Sequence, residues 1–118
     1  MILLLGAGAS FGCLGDRERP GPPRLSFTID DTTVSTSKAD TVSGVVRADD
    51  SEGLDSVWVT VDSVQKGDDA GLQRSFSSGY RFVVPAGRAL GNHIPMSFRA
   101  RDIAGFLAQR DTYVVVVP

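Results

Sequence analysis

Thr41 to Val64 reads TVSGVVRADDSEGLDSVWVTVDSV, and its alternation decides the fold. Successive side chains of a strand point to opposite faces. Val57, Val59 and Val61 alternate with Trp58, Thr60 and Asp62, giving one apolar face and one mixed face. Upstream, Val42, Gly44, Val46 and Ala48 share one face, and Thr41, Ser43, Val45 and Arg47 share the other. Val, Thr and Trp suit the pleated, half-buried surface of a sheet. Between the two runs lies Asp49-Asp50-Ser51-Glu52-Gly53, where Asp and Ser bond nearby amides and Gly53 supplies a positive φ. The stretch is expected to form two strands joined by an acidic turn, the central pair of the fold.

The same alternation recurs on either side. Leu25, Phe27 and Ile29 face one way in a first strand, Leu25 to Asp30. Asp31 to Asp40 is polar and reads as a loop or a short edge strand carrying Val34. Gln65 to Gly71 reads as a turn or hairpin tip, Leu72 to Ser77 as a weak strand, and Ser78-Gly79 as a turn. Tyr80, Phe82 and Val84 then share one face of another strand, followed by a loop from Pro85 to Asn92. In His93 to Arg101, Ile94, Met96, Phe98 and Ala100 oppose Pro95, Ser97, Arg99 and Arg101. Pro95 donates no ladder bond, so it is expected at an edge or just ahead of the strand. Asp102 to Gly105 is a turn. Leu107 to Val117 is a last strand, expected to be central and buried on both faces, because an exposed apolar edge invites pairing with another chain. No window sustains a helical period. About seven short strands at near-regular spacing predict an all-β antiparallel sandwich.

The chain has 118 residues, enough for one domain. Its 42% hydrophobic and 22% charged residues are ordinary for a globular protein. A formal net charge of −2 argues against nucleic acid as a partner, which calls for a basic stripe. A single Cys rules out an internal disulfide framework and a cysteine zinc site.

Met1 to Gly12, MILLLGAGASFG, is apolar and uncharged. It is far shorter than the roughly 20 residues of a membrane-spanning helix. It resembles the hydrophobic part of a secretion signal, and Ser10-Phe11-Gly12-Cys13 resembles the bacterial lipoprotein signal, in which a small residue precedes a Cys that is cleaved and lipidated. The departures are Ser10 and Phe11, where that family has Leu and then Ala or Ser, and the lack of Lys or Arg ahead of the apolar run. A plain secretion signal and a first strand with a buried Cys13 are the alternatives. Leu14 to Arg24, LGDRERPGPPR, carries three Pro and reads as a semi-extended tether of about 3 Å per residue. The organisation expected is thus 1–13 as signal with Cys13 as the lipid attachment, 14–24 as linker and 25–118 as the sandwich. Leu14 in the position after the Cys implies, by the same resemblance, sorting to the outer membrane.

Two passages resemble bacterial immunoglobulin-like domains. RADDSEGLDSVWVTVD, Arg47 to Asp62, is similar to their passage A-x-D-x-x-G-[LI]-x-x-V-x-[VF]-x-[VI]-[DN]. GNHIPMSFRARDIAG, Gly91 to Gly105, is similar to the closing passage G-x-[HY]-x-[IL]-x-[VF]-x-A-x-D-x-A-G. Phe106 stands where the family often has Asn, and the antibody pattern of two Cys around a core Trp is absent. The resemblance implies an immunoglobulin-like sandwich over about Leu25 to Pro118 and a place in a bacterial surface protein or lipoprotein. It does not imply a ligand, since one fold hosts many functions.

Asp49, Asp50 and Asp102, with Glu52, would converge at one end of such a sandwich. Calcium takes about six to eight oxygens from groups of this kind. The competing role is turn capping by accepting backbone amides, with Arg47 and Arg101 as ion-pair partners. Asp68 and Asp69 read as a solvated turn. Trp58, on the mixed face, is a candidate binding anchor for a protein or a sugar ring, with Tyr80 as a second platform, or else a ring covered by a neighbouring strand or an Arg stem. His93 has no second His and no Cys beside it and is expected at the surface. No cofactor is implied. A small hydrolase is the weakest reading, since no nucleophile, base and orienting group can be named together. The function expected is therefore a non-catalytic binding or structural module of an exported lipoprotein, attached to the membrane through its N-terminal lipid. A carbohydrate-binding module using an exposed Trp58 is the alternative.

Overall fold

The computed structural model describes residues 21–118. The apolar leader, Cys13 and most of the tether lie outside the described residues. Eight strands follow in order: β1 Arg24–Phe27, β2 Thr33–Ser35, β3 Asp40–Asp49, β4 Leu54–Val61, β5 Val64–Asp69, β6 Ser75–Val84, β7 His93–Asp102 and β8 Leu107–Val117. They form a β-sandwich of two sheets, one ordered β1-β3-β6 and the other β2-β8-β7-β4-β5. All pairings are antiparallel except the short parallel match of β2 to β8, Val34 opposite Val116.

The alternation read from sequence sets the inner faces. Val42, Val46 and Ala48 of β3, Val57, Val59 and Val61 of β4, and Ile94, Met96, Phe98 and Ala100 of β7 are all buried. Tyr80, Phe82 and Val84 join them from β6. Phe98 is the centre of the core. The Phe27 ring stacks on it at 4.1 Å between centroids, and Tyr80 meets it edge-on at 5.5 Å. Phe27 and Tyr80 come from the smaller sheet and Phe98 from the larger one, so these rings hold the two layers together. Such aromatic pairs add about 0.5–1.5 kcal/mol beyond their area burial.

The Tyr80 hydroxyl lies in this apolar layer and donates to the Thr28 carbonyl at 2.6 Å. That bond needs Gly44. A Cβ on Gly44 would stand 2.1 Å from the Thr28 oxygen and 2.7 Å from the Tyr80 hydroxyl, so a side chain there would break the close approach of the Gly44 and Thr28 backbones and the Tyr80 hydroxyl.

Several expectations are corrected. Thr41 to Val64 is no hairpin: β3 and β4 are consecutive but belong to different sheets, and the acidic turn carries the chain from one layer to the other. The reason is that both strands bury a full apolar face, and two such faces are satisfied by packing against each other rather than side by side. Gln65 to Gly71 is mostly strand β5, paired to β4 through a turn in which Asp62 takes φ 59°. Every residue of β5 is exposed, which is why no apolar alternation announces it. Ser78-Gly79 does not turn, because ten consecutive residues of β6 pair with β3 from Asp49↔Ser75 to Asp40↔Val84. Pro95 sits inside a strand with neighbours on both sides. The pairing of β4 ends at Val61↔Met96, and the Pro95 carbonyl accepts the Asp62 amide, so the side on which Pro95 has no N–H lies beyond the end of that ladder. In β8, Val114 and Val116 are buried, while Tyr113 on the other face is 48% exposed, so this strand is covered on one side.

Burial pushes the Tyr80 hydroxyl up to about 12. Because the folded state holds this proton more tightly than the unfolded chain, near 10, its contribution is complete below about pH 10 and is lost as pH rises towards 12. Tyr80→Phe removes both the bond and the titration. The variant is expected to be about 1 kcal/mol less stable at pH 8. In urea melts run from pH 8 to 11.5, that gap should close as pH rises; a constant gap would show that the hydroxyl does not titrate in this range.

Candidate functional site

Trp58 lies on the outer face of the larger sheet, opposite Arg99 on β7 and Gly67 on β5. Its ring covers the bare backbone of Gly67, where a Cβ would stand 2.7 Å from Cδ1 and 2.9 Å from Nε1. The Arg99 and Arg101 guanidinium carbons are 5.4 Å and 5.9 Å from the ring centroid. Cations at that range are attracted to the electron-rich face of an indole. The residue is half-buried rather than fully exposed. Two of the alternatives read from sequence are thus realised together: a neighbouring strand under the ring and Arg stems against it. Arg101 also pairs with Asp55 and not with the loop carboxylates. The resulting patch, an indole with two guanidinium groups held over its ring, presents donors to an anionic or hydroxyl-rich ligand.

Tyr80 takes no part in this patch. It points to the inner face of the opposite sheet, and no Trp58–Tyr80 platform forms. Trp58 and Tyr80 belong to different sheets, one side chain outward and the other inward. The sequence reading did not name Gly67, Arg99 and Arg101 as Trp58's neighbours, because cross-strand register sets them and local pattern does not reveal it.

The acidic loops do meet at one end, where the Ile103 amide donates to the Gly53 carbonyl at 3.0 Å. Their carboxylates are nevertheless occupied separately. Asp50 Oδ2 accepts the Glu52 and Gly53 amides at 2.9 and 3.1 Å. Asp49 accepts from the Ser75 hydroxyl at 2.7 Å and pairs with Arg47, and the Ser75 bond is the main cause holding its carboxyl below the usual range. Asp102, 1% exposed, accepts the Ala104 and Phe106 amides through Oδ1 at 3.0 and 2.8 Å. Its Oδ2 is buried with no protein hydrogen-bond partner among the described residues. Among those residues, no group of three or more His, Cys, Asp or Glu side chains is placed to hold a metal ion. Asp69 caps its own turn through the Gly71 amide. His93 is exposed and stacks on Tyr113 at 3.8 Å, an outer-face pair across β7 and β8.

A groove of about 560 Å³ opens along the side of the sandwich between the edge strands β5 and β6, lined by Val61, Val64, Phe82 and Pro85 among others. Lys66 crosses it, donating to the Arg81 carbonyl at 2.8 Å with its amine 4.6 Å from the Phe82 ring centroid.

No protein-family model matches the chain, and no curated protein matches it. Among solved structures it is similar to Spo0M, a sporulation control protein from Bacillus subtilis, at 10% identity and a TM-score of 0.46, over 83% of this chain and 50% of that one. The chain thus spans about half the length of that protein.

The capping role of Asp102 has a measurable signature. Asp102→Asn keeps an oxygen for the two amides, whereas Asp102→Ala removes the acceptor of both part-buried bonds, at a cost of about 1–3 kcal/mol. In urea unfolding the Ala variant should fall well below the Asn variant; equal losses would mean that the two bonds do not hold the turn.

Proposed function

We propose that this chain is a non-catalytic, immunoglobulin-like binding and structural module of an exported bacterial lipoprotein, held at the cell envelope by lipid on Cys13. The observation that carries the envelope placement is the apolar run Met1 to Gly12 closing on Cys13, followed at once by the Pro-rich tether that leads into β1. The immunoglobulin-like reading is supported by the strand order. One sheet carries the first, third and sixth strands, and the other carries the second, eighth, seventh, fourth and fifth, as in sandwiches of that type with added edge strands. It is also supported by the resemblance passages. The Asp and closing Gly of the second passage fall at Asp102, which caps the β7–β8 turn, and Gly105, at φ 94°.

In this reading the tether spaces the module from the outer membrane, and the sandwich presents its outer face to a partner. The fractionation of Cys13→Ser tests it. The parent chain, expressed in a bacterium, should sediment with membranes and label with a fatty-acid precursor, and the variant should lose both. Labelling that persists without Cys13 would contradict the proposal.

Arg99 and Arg101, held over Trp58, favour carbohydrate binding as a second reading, because guanidinium groups bond the hydroxyls and carboxylates of acidic polysaccharides. Affinity electrophoresis in acidic envelope polysaccharides should show retardation that Trp58→Ala removes; equal mobility of the two proteins in every polysaccharide would sink this reading.

A further inference from the structure

Three loops close the end of the sandwich at which β1 begins: Asp50–Gly53, Ala70–Arg74 and Ile103–Phe106. Backbone bonds tie them into one unit: Asp50 to Arg74 at 2.8 Å, Leu54 to Gln73 at 2.7 Å, Ile103 to Gly53 at 3.0 Å and Ala70 to Asp55 at 3.0 Å. On this framework stand four large apolar side chains turned to solvent: Leu72 (65% exposed), Ile103 (54%), Phe106 (42%) and Leu107 (44%). Exposed apolar residues gathered at one place mark an interaction surface.

Leu72 carries the strongest sign. It sits at φ 62°, in the left-handed region, where Gly or Asn is the usual occupant. A branched apolar residue held in that conformation with its side chain in water gains nothing for the fold. Backbone strain of this kind gathers at functional sites.

The position of the chain's entry says what the surface faces. Arg24 pairs with Asp49, and Gly21 and Pro22 lie beside Asp49, Asp50 and Ser51, so the tether joins the domain at this same end. The strand β8 starts here at Leu107 and runs away, leaving Pro118 at the opposite end. Ten residues of sequence, Leu14 to Pro23, separate this entry from Cys13. Arg24, Arg47, Arg74 and Arg101 share this end with Asp49, Asp50, Glu52, Asp55, Asp68 and Asp69, an excess of two negative charges. A mixed rim of this kind lacks the basic patch that an anionic surface needs and suits a zwitterionic one.

We propose that these three loops dock on a lipid bilayer, with Leu72, Ile103, Phe106 and Leu107 inserted at the headgroup level and the sandwich standing on the membrane that anchors it. The proposal rests on the anchored reading for its geometry, and the test separates the two. Trp58→Phe makes room for a single reporter, placed either at Phe106→Trp or, as the control, at Leu90→Trp in the opposite end of the sandwich. The full chain, with its N-terminal segment and native Cys13, is mixed with phosphatidylcholine vesicles carrying bromine near the headgroup end of the acyl chains. Sedimentation reports anchoring, and quenching reports the depth of the reporter.

The expected result is co-sedimentation, strong quenching and a blue shift at position 106, and neither at position 90. Leu72→Asn fits the left-handed backbone and removes the apolar group. It should lower the docked-to-undocked ratio about tenfold while the chain still sediments. Co-sedimentation with an unquenched reporter at 106 overturns the docking proposal and leaves the anchor intact. A chain that stays in the supernatant overturns both. A blue-shifted reporter at 106 before vesicles are added means that the loops are already covered by protein, and also overturns docking on lipid.

Discussion

The Phe98 ring, packed between Phe27 and Tyr80, is the contact on which the rest of the structure depends. It is the point where the smaller sheet meets the larger one through large rings from both sides, 4.1 and 5.5 Å away. Two sheets of short strands have little hold on each other except through inward side chains. The valines of β3 and β4 fill the layer, and the aromatic cluster sets its thickness. The Tyr80 hydroxyl then has to find a partner inside that layer, and the Thr28 carbonyl supplies it across the bare backbone of Gly44. One apolar contact thereby fixes one polar contact, and together they fix which face of β6 points inward.

With the inner faces committed, the outer face of the larger sheet is free to carry chemistry. Trp58 stands there because it alternates with Val57 and Val59, and register pins it between Gly67 of β5 and the two Arg side chains of β7. The two ends of the sandwich are closed by different loops. At the far end, Arg88 meets Asp62 through two bonds, at 2.8 and 3.3 Å, and Thr36 bonds the Arg88 carbonyl, so the loops are closed by polar contacts. At the near end, Asp50 and Asp102 cap backbone amides, and Leu72, Ile103, Phe106 and Leu107 stand exposed on the loops they hold.

The sequence made the strand faces legible wherever one side was buried. In β3, β4, β6 and β7 the alternation of apolar and polar residues named the core correctly, because the period of a strand is fixed by its backbone. It did not reveal β5, whose residues QKGDD carry no apolar pattern; an edge strand is held by its ladder to β4 alone. It also did not distinguish a hairpin from a crossover at Asp49–Gly53, since the same Asp and Gly chemistry serves both turns. The sheet switch is decided by where Phe98 and Tyr80 pack, and no local signal reports it. Site features followed the same division. The outward phase of Trp58 and the capping role of the loop Asp residues came from local pattern. The Arg frame, the inward turn of Tyr80 and the left-handed Leu72 depend on contacts between residues far apart in the chain.

The most direct test of this architecture is a set of through-space proton contacts in the isotopically labelled full chain. Gly44 should show cross-strand contacts to Tyr80, and Val34 should show parallel contacts to Val116, with none across a ladder between β3 and β4. Direct cross-strand contacts between Thr41–Asp49 and Leu54–Val61 would instead mean that the stretch folds back as a hairpin, and would contradict the sandwich described above.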